Sequence, residues 1–296
     1  MSADRQDETA ADGGGAQSVD RALMLLSLIG RSCEDGASLA AIVSASGLNR
    51  ATARRLVLAL MRSRLVEQHA VSRRYFLGEE AYVLGVFASR RYGFLDCAME
   101  SLARLSRVTG DTSFASIRRG DFSVCLHREE GAFPIRTHAL MPGQRHPLGI
   151  GAGGMAILAA LGDDEIDRVI EANAQSLAED FPAYTPDVIA QDVANARLSG
   201  CAVNPGRVLE NSWAVGMAVR YPDGGVAGAL SIAAIDSRMG EARRAELAGH
   251  LRAETAKVED RLKTRFRARP PGRAPSDEPK DGAGPARLLA TEGMDP

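Results

Sequence analysis

The residues best suited to chemistry are Arg50, Arg54 and Arg55, gathered with Asn49 and Thr52 in the stretch 39–66, LAAIVSASGLNRATARRLVLALMRSRLV. Guanidinium groups are permanent charges whose forked donors fit guanine edges and phosphate oxygens, so the cluster points to nucleic acid. Leu39, Ile42 and Val43 fall at helical spacing, Gly47 supplies a turn residue free to take positive φ, and Ala53, Leu56, Val57 and Leu60 make a second apolar stripe. Asn49 is a good N-cap, its side-chain oxygen able to accept from a first-turn amide. At about 100° per residue, Ala51, Arg54, Arg55 and Leu58 then point away from the core, with Arg50 and Thr52 on the flanks. Helix-turn-helix proteins present that end of the second helix to the major groove. An ordinary helical hairpin with a solvated basic face shares the pattern. Farther on, Arg73 and Arg74 precede Tyr75, Phe76, Leu77 and Gly78, as in a two-stranded wing whose arginines contact phosphate.

A second locus is Gly149, Gly151, Gly153 and Gly154, a glycine-rich turn entering a helix. Backbone amides and the positive end of a helix dipole can hold an anion there. Close packing of the chain against a sheet requires the same residues. His127, His138 and His146 lie near one another in sequence, but no Asp or Glu completes a metal-ligand spacing with them. Serines occur without a nucleophile-elbow pattern, and no pair of carboxylates stands in apolar surroundings. The chain is therefore read as a non-enzyme with no cofactor and no metal.

Elements must position these residues, and their pattern divides the chain of 296 residues. Residues 1–17 are polar and expected to be disordered, with no signal peptide. Residues 18–78 form a winged helix-turn-helix domain whose first helix, 18–29, starts at Ser18 and carries Val19, Ala22, Leu23, Leu26 and Ile29 on one side. A helix over 79–94 bears Tyr82, Val83, Val86 and Phe87, too apolar a stripe for an exposed connector; it makes up most of the linker 79–95. Over 96–264, helices are expected at 98–108, 152–161, 163–174, 186–198 and 241–265. Strands are expected at 112–117, 123–128, 134–139, 201–204, 214–220 and 226–233. This is an α+β fold with a mainly antiparallel sheet. Residues 265–296 hold six of the thirteen prolines and no apolar period, as a disordered tail would.

Formal charge is −2 overall but unevenly placed: 18–78 carries nine Arg against four acidic residues, while 96–264 holds 18 basic and 23 acidic residues. A basic reader joined to an acidic sensor has this asymmetry. Cys33, Cys97, Cys125 and Cys201 lie far apart and are expected as reduced, buried thiols. No apolar run approaches the length needed to cross a bilayer, so the protein is expected in the cytoplasm.

The opening SVDRALMLLSLI, the pair SGLNRATARRLVLAL and the segment YFLGEEAYVLG, followed by PGQRHPLGIGAGGMAILAAL, GCAVNPGRVLE and GVAGALSIAAI, resemble the IclR family of transcriptional regulators in order and distance. The resemblance implies a GAF-like effector domain and a linker helix that helps pair subunits; the same helix could instead be an extra layer on one subunit. It implies that Asn49, Arg50, Thr52, Arg54, Arg55, Arg73 and Arg74 serve double-stranded, roughly palindromic operator DNA, bound by a homodimer or a dimer of dimers. Effector positions carried over from the family are Ile135, His138, Ala152, Gly153, Asn204, Ala214, Ser231 and Ala233. Family members often have His and Thr where Gly149 and Gly151 stand here, a basic residue at Met155, an acid at Asn204 and a cysteine at Ala214. The effector is thus expected to be a small organic acid, larger than a simple keto acid or partly aromatic. Two rivals are a metabolite-processing enzyme with an incidental helix-turn-helix and a ligand-independent architectural DNA binder.

Overall fold

The computed structural model describes residues 13–32, 35–135 and 140–267, so the expectations for Cys33, His138 and the tail past 267 fall outside it. The chain begins with α1 (Gly13–Arg31), α2 (Leu39–Ser46) and α3 (Arg50–Arg62), then a hairpin of β1 (Val66–Gln68) and β2 (Tyr75–Leu77). Leu25, Ile29, Ile42, Ala53, Leu56, Val57, Leu60, Val66 and Tyr75 form their shared core. Gly47, at φ 67°, ends α2, and its N–H donates to Val43 O. The first helix starts at Gly13, so Ser18 is an internal residue and part of 1–17 is helical. Once the stripe around Leu25 and Ile29 has nucleated the helix, extending it back through Ala16 and Gln17 adds one bond per residue fixed.

Helix α4 (Glu79–Tyr92) is separated by Gly93 alone from α5 (Phe94–Thr109). Beyond it are β3 (Thr112–Arg119), β4 (Phe122–Glu129), β5 (Arg145–Pro147), β6 (Ala202–Pro205), β7 (Ser212–Arg220) and β8 (Val226–Ile235). They form one antiparallel sheet in the order β5-β4-β3-β8-β7-β6. Between β5 and β6 lie α6 (Gly151–Ala159), α7 (Asp163–Ala172), α8 (Ala174–Asp180) and α9 (Pro186–Ser199), and α10 (Glu241–Arg267) closes the described chain. No described helix is long and apolar enough to cross a membrane.

Two expectations need correction. No strand occupies the described start of 134–139: Pro134 has no N–H for a ladder, Ile135 is 59% exposed, and the edge of β4 pairs with β5 instead. The helix expected over 163–174 breaks at Asn173, whose side-chain amide donates to Asp121 O at 2.7 Å and Val169 O at 3.1 Å. Those bonds offer the backbone an alternative to continued helix.

Both faces of the sheet are covered. Ala115, Val215, Met217, Leu230 and Ile232 meet α5 and α10 through Phe94, Leu102, Leu247, Leu251 and Val258. On the other face Ile157, Leu158, Val169, Ile189 and Val193 bring in α6, α7 and α9. This is why β8 reads as a nearly continuous apolar run rather than an alternation. Cys97, Cys125 and Cys201 are free and buried.

Polar clamps hold α10 down. Asp111, whose side chain is 2% exposed, accepts from Arg238 and Arg243. Glu254 accepts from both Arg104 Nε and Nη2, at 3.2 and 3.0 Å to Oε2, and from Lys257 Nζ at 2.7 Å. Burial alone would raise the Glu254 carboxyl, but hydrogen bonds from Arg104, Lys257 and Ser101 and the charge of Arg104 outweigh it and bring it down to about 2. A depressed carboxylate stabilises the fold above its unfolded-state value and loses that contribution as pH falls through the folded one. Glu254→Gln is therefore expected to lower stability by about 2 kcal/mol at pH 7. The deficit relative to the parent should shrink as pH drops from the ordinary 4.5 toward about 2, as read by urea unfolding at several pH values.

Candidate functional site

The reading face is built by α3. Asn49 Oδ1 accepts from Thr52 N at 2.8 Å, which fixes the helix start. Ala53, Leu56, Val57 and Leu60 turn inward, leaving Arg50, Ala51, Arg54, Arg55 and Leu58 on the outer side and Thr52 half-buried between. Among the described residues Arg50, Arg54 and Arg55 make no ion pair, so three unneutralised cations share one exposed helical turn and its edge. Arg73 sits at the hairpin bend with φ 57°, its side chain exposed and its carbonyl accepting from Gln68 Nε2. Arg74, also exposed beside it, is engaged within the protein through one nitrogen: its Nη1 donates to Asp35 O at 3.2 Å and Gly36 O at 3.0 Å. That guanidinium tethers the wing to the loop before α2, with which β2 also pairs through Ala37 and Tyr75.

The second site is a cavity between the start of α6 and the sheet. Ala152, Gly153, Asn204, Ala214, Ser231 and Ala233 line it together, whereas Ile135 lies outside the lining and exposed. Strand pairing explains the convergence: Phe114 faces Ser231, Ala233 faces Ala214, and Ala214 faces Asn204, so these side chains share one sheet face. The same registers add Phe114, Ser116, Ser123 and Cys125, none of which a sequence motif singled out. Tyr184, on the loop before α9, lies behind the lining and bonds two of its residues, Gly151 and Asn204; the local sequence carries no signal for a contact that long in range.

Glycines let the helix come this close. Gly149 and Gly151 have φ of 104° and 70°, conformations a residue with a side chain would strain to adopt. A Cβ on Gly216 would lie 2.5 Å from Ala152 O, so β7 admits the first turn of α6 only because position 216 has no side chain. Ile150, the N-cap of α6, offers no side-chain acceptor. The Gly151 N–H donates to Tyr184 Oη at 3.3 Å, while the amides of Ala152 and Gly153 have no partner among the described residues. A Cβ on Gly153 would come 3.4 Å from Ser116 Oγ and 3.5 Å from Ser231 Oγ, which places both hydroxyls at this helix start.

The lining is mostly apolar, and the polar groups set into it are uncharged. Ser116, Ser123, Ser212, Ser231 and Asn204 are buried. His146 is the pocket histidine; its ring meets Phe181 edge-on at 5.4 Å, and burial lowers its pKa, which keeps it neutral. Burial pushes the Cys125 thiol and the Tyr184 phenol each up to about 12. His127 lies apart, its Nε2 3.1 Å from Glu129. Among the described residues no group of His, Cys, Asp and Glu is arranged to hold a metal ion.

A three-helix reader with a β-hairpin wing, joined to a sheet domain with a largely apolar pocket, is a winged helix-turn-helix regulator. Residues 18–70 match the IclR helix-turn-helix domain and residues 88–260 the bacterial transcriptional regulator IclR C-terminal domain, and the chain belongs to the IclR family. It is 26% identical over 234 residues to the HTH-type transcriptional regulator BhcR of Paracoccus denitrificans, covering 79% of this chain and 83% of that one. It is 25% identical to XynR of Escherichia coli, over 77% of this chain and 90% of that one. The crystal structure of an IclR transcriptional regulator from Alicyclobacillus acidocaldarius superposes with a TM-score of 0.70 at 26% identity, covering 83% of this chain and 98% of that one. An IclR homolog from Microbacterium hydrocarbonoxydans, complexed with 4-hydroxybenzoate, has the same fold, with a TM-score of 0.68 at 17% identity over 83% and 99% of the two chains.

The geometry separates the arginines by role. Arg54→Ala and Arg55→Ala are expected to leave the melting temperature unchanged and to weaken operator binding, by about 1 to 3 kcal/mol where the lost side chain reads a base. Arg74→Ala is expected to lower the melting temperature by loosening the wing. Fluorescence anisotropy on operator DNA, run beside thermal unfolding, checks both; a stable Arg54→Ala, Arg55→Ala double variant that bound like the parent would remove α3 as the reading element.

Proposed function

We propose that this transcriptional regulator acts in the cytoplasm, on a catabolic operon, and that a small organic acid held at the start of α6 alters its operator affinity. One observation carries the reading: the unpartnered amides of Ala152 and Gly153 lie at a cavity beside Ser116 and Ser231. With no lysine or arginine among the described lining residues, a carboxylate is met by these amides, the helix dipole and hydroxyl donors. Phe114, Leu140, Ala214 and Ala233 receive an apolar or aromatic remainder. That a homolog of this fold is complexed with 4-hydroxybenzoate supports an acid of this size. Arg50, Thr52, Arg54 and Arg55 contact DNA, Asn49 positions their helix, and Arg73 holds the phosphate backbone from the wing. Arg74, the other wing arginine, contributes through the tether.

The signal needs paired reading heads. Tyr82, Leu84, Val86 and Phe87 on α4 are 74, 50, 42 and 61% exposed, and Val19 and Leu23 on α1 are 57 and 52% exposed, which is more apolar surface than water favours. We assign these faces to the homodimer, or dimer of dimers, that reads a roughly palindromic operator, since one recognition helix spans too few base pairs for genomic specificity. Sedimentation of the full chain at micromolar concentration is expected to show a dimer or larger. A Tyr82→Glu, Phe87→Glu variant should shift it toward monomer and weaken binding to the full site.

Calorimetry with aliphatic and aromatic acids is expected to find a ligand whose affinity drops on Ser231→Ala. Operator titrations with that ligand should show a change of about 5- to 150-fold, the usual range of allosteric coupling. A tight ligand that leaves operator affinity unchanged rules out the switch. Turnover of the ligand turns the assignment toward an enzyme.

A further inference from the structure

Three buried polar side-chain atoms among the described residues have no hydrogen-bond partner, and two of them, Nε and Nη2, belong to Arg128 on β4. Its side chain is 7% exposed. Nη1 is engaged, 3.0 Å from Glu130 Oε1 and 3.6 Å from Met141 Sδ, so the unmet donors lie along one edge of the guanidinium. A buried cation with unmet donors is costly, and that edge calls for an acceptor. The same domain shows which acceptor fits it. Arg238 presents Nε and Nη2 to the two oxygens of Asp111 at 2.9 and 3.1 Å, and Arg104 presents the same pair to Glu254, at 3.2 and 3.0 Å to Oε2. Arg104 is the nearer parallel: its Nη1 also holds a more exposed carboxylate, Glu100, as Nη1 of Arg128 holds Glu130. One guanidinium there carries a carboxylate on each edge, and Arg128 has a carboxylate on Nη1 alone.

Register brings that edge beside the acid cavity. Arg128 faces Phe114, Phe114 faces Ser231, and Ser231 faces Gly216, so the four stand in one row on the same sheet face. The row crosses three strand spacings, about 14 Å. At its far end Gly216 meets the first turn of α6, where the unpartnered amides of Ala152 and Gly153 are, and in its middle Phe114 and Ser231 line the cavity. Arg128 stands just outside that lining, paired with Phe114 and touching Met141, the neighbour of the lining residue Leu140. We propose that Arg128 is a second anion subsite and that the effector is a diacid, with one carboxylate at the start of α6 and the other on the Nε–Nη2 edge of Arg128. Its body lies along the row, over Ser231 and Phe114, and the Phe114 ring turns aside to admit the second carboxylate. The inference rests on the pocket being an acid site. It accounts for an arginine held where burial penalises it, since the ligand supplies the acceptor that the described chain does not.

The test is calorimetry on the full chain with straight-chain diacids from succinate to pimelate and with terephthalate, each matched to the monoacid in which a methyl group replaces one carboxylate. At the fitting length the diacid is expected to bind about tenfold or more tightly than its matched monoacid. Arg128→Met removes the fork and keeps much of its volume. It is expected to abolish that advantage, to leave the monoacids unchanged, and to preserve or raise the melting temperature, because no buried cation remains with unmet donors. Arg128→Lys keeps the charge beside Glu130 but not the fork, and is expected to lose most of the advantage as well. A merely structural arginine would instead destabilise the fold on removal and weaken every acid alike, and that result overturns the inference. So do equal affinities within every pair in the parent, or a diacid advantage that survives Arg128→Met. Two monoacids per chain, falling to one in Arg128→Met, would put a separate anion at the fork and overturn the single-diacid reading. In each of these cases, monoacid binding that remains sensitive to Ser231→Ala leaves the acid site standing. No binding of any acid to the parent at millimolar concentration defeats the acid site and the inference together.

Discussion

The constraint on which the rest of the effector domain depends is the contact of a bare helix start with a bare strand. The first turn of α6 lies so close to β7 that a Cβ on Gly216 would sit 2.5 Å from Ala152 O and 3.1 Å from Gly153 N. Glycine at that position, and at Gly153 against Ser116 and Ser231, lets backbone donors approach the sheet where side chains would ordinarily intervene. The cavity is the space left beside that contact. Its floor is the row of alternate residues that the antiparallel registers bring to one face, among them Asn204, which Tyr184 bonds from behind.

An uncharged pocket suits the proposed acid through the same geometry. Backbone amides carry no net charge to desolvate, whereas a buried guanidinium demands a full set of acceptors. Arginine is used instead where its donors are matched. Arg104 on Glu254 and Arg238 and Arg243 on Asp111 lock α10 to α5 and to the start of β3. The unmatched arginines Arg50, Arg54 and Arg55 stand on the outside of α3, where a polyanion can supply the missing acceptors.

The proposed coupling between the two regions would start at the joint of α4 and α5. Phe94, the first residue of α5 and 1% exposed, belongs to the core behind the sheet, and Gly93 alone separates it from α4. A shift of the sheet on filling the pocket would be felt at α5, and through it at the apolar face of α4. Because that face is assigned to subunit pairing, the sensor would act on the spacing of two reading heads rather than on the chemistry of either one.

Much of this was legible in the residues themselves, because it depends on contacts a few positions apart. The stripe Ala53, Leu56, Val57 and Leu60, the Asn49 cap and the Gly47 stop each express a local preference, and together they determined the helix pair before any tertiary contact is considered. The apolar runs that became β7 and β8 and the glycine-rich entry to α6 were equally plain. Other features were decided only by the folded chain. Arg74 has the composition of a phosphate contact, but its acceptors are carbonyls of Asp35 and Gly36, far upstream in sequence. The segment 134–139 reads as a strand, yet β5 takes the edge of β4 and Ile135 is left outside the pocket. Ser116, Ser123 and His146 enter the site through strand register, and register is a property of pairs of strands that no single segment contains.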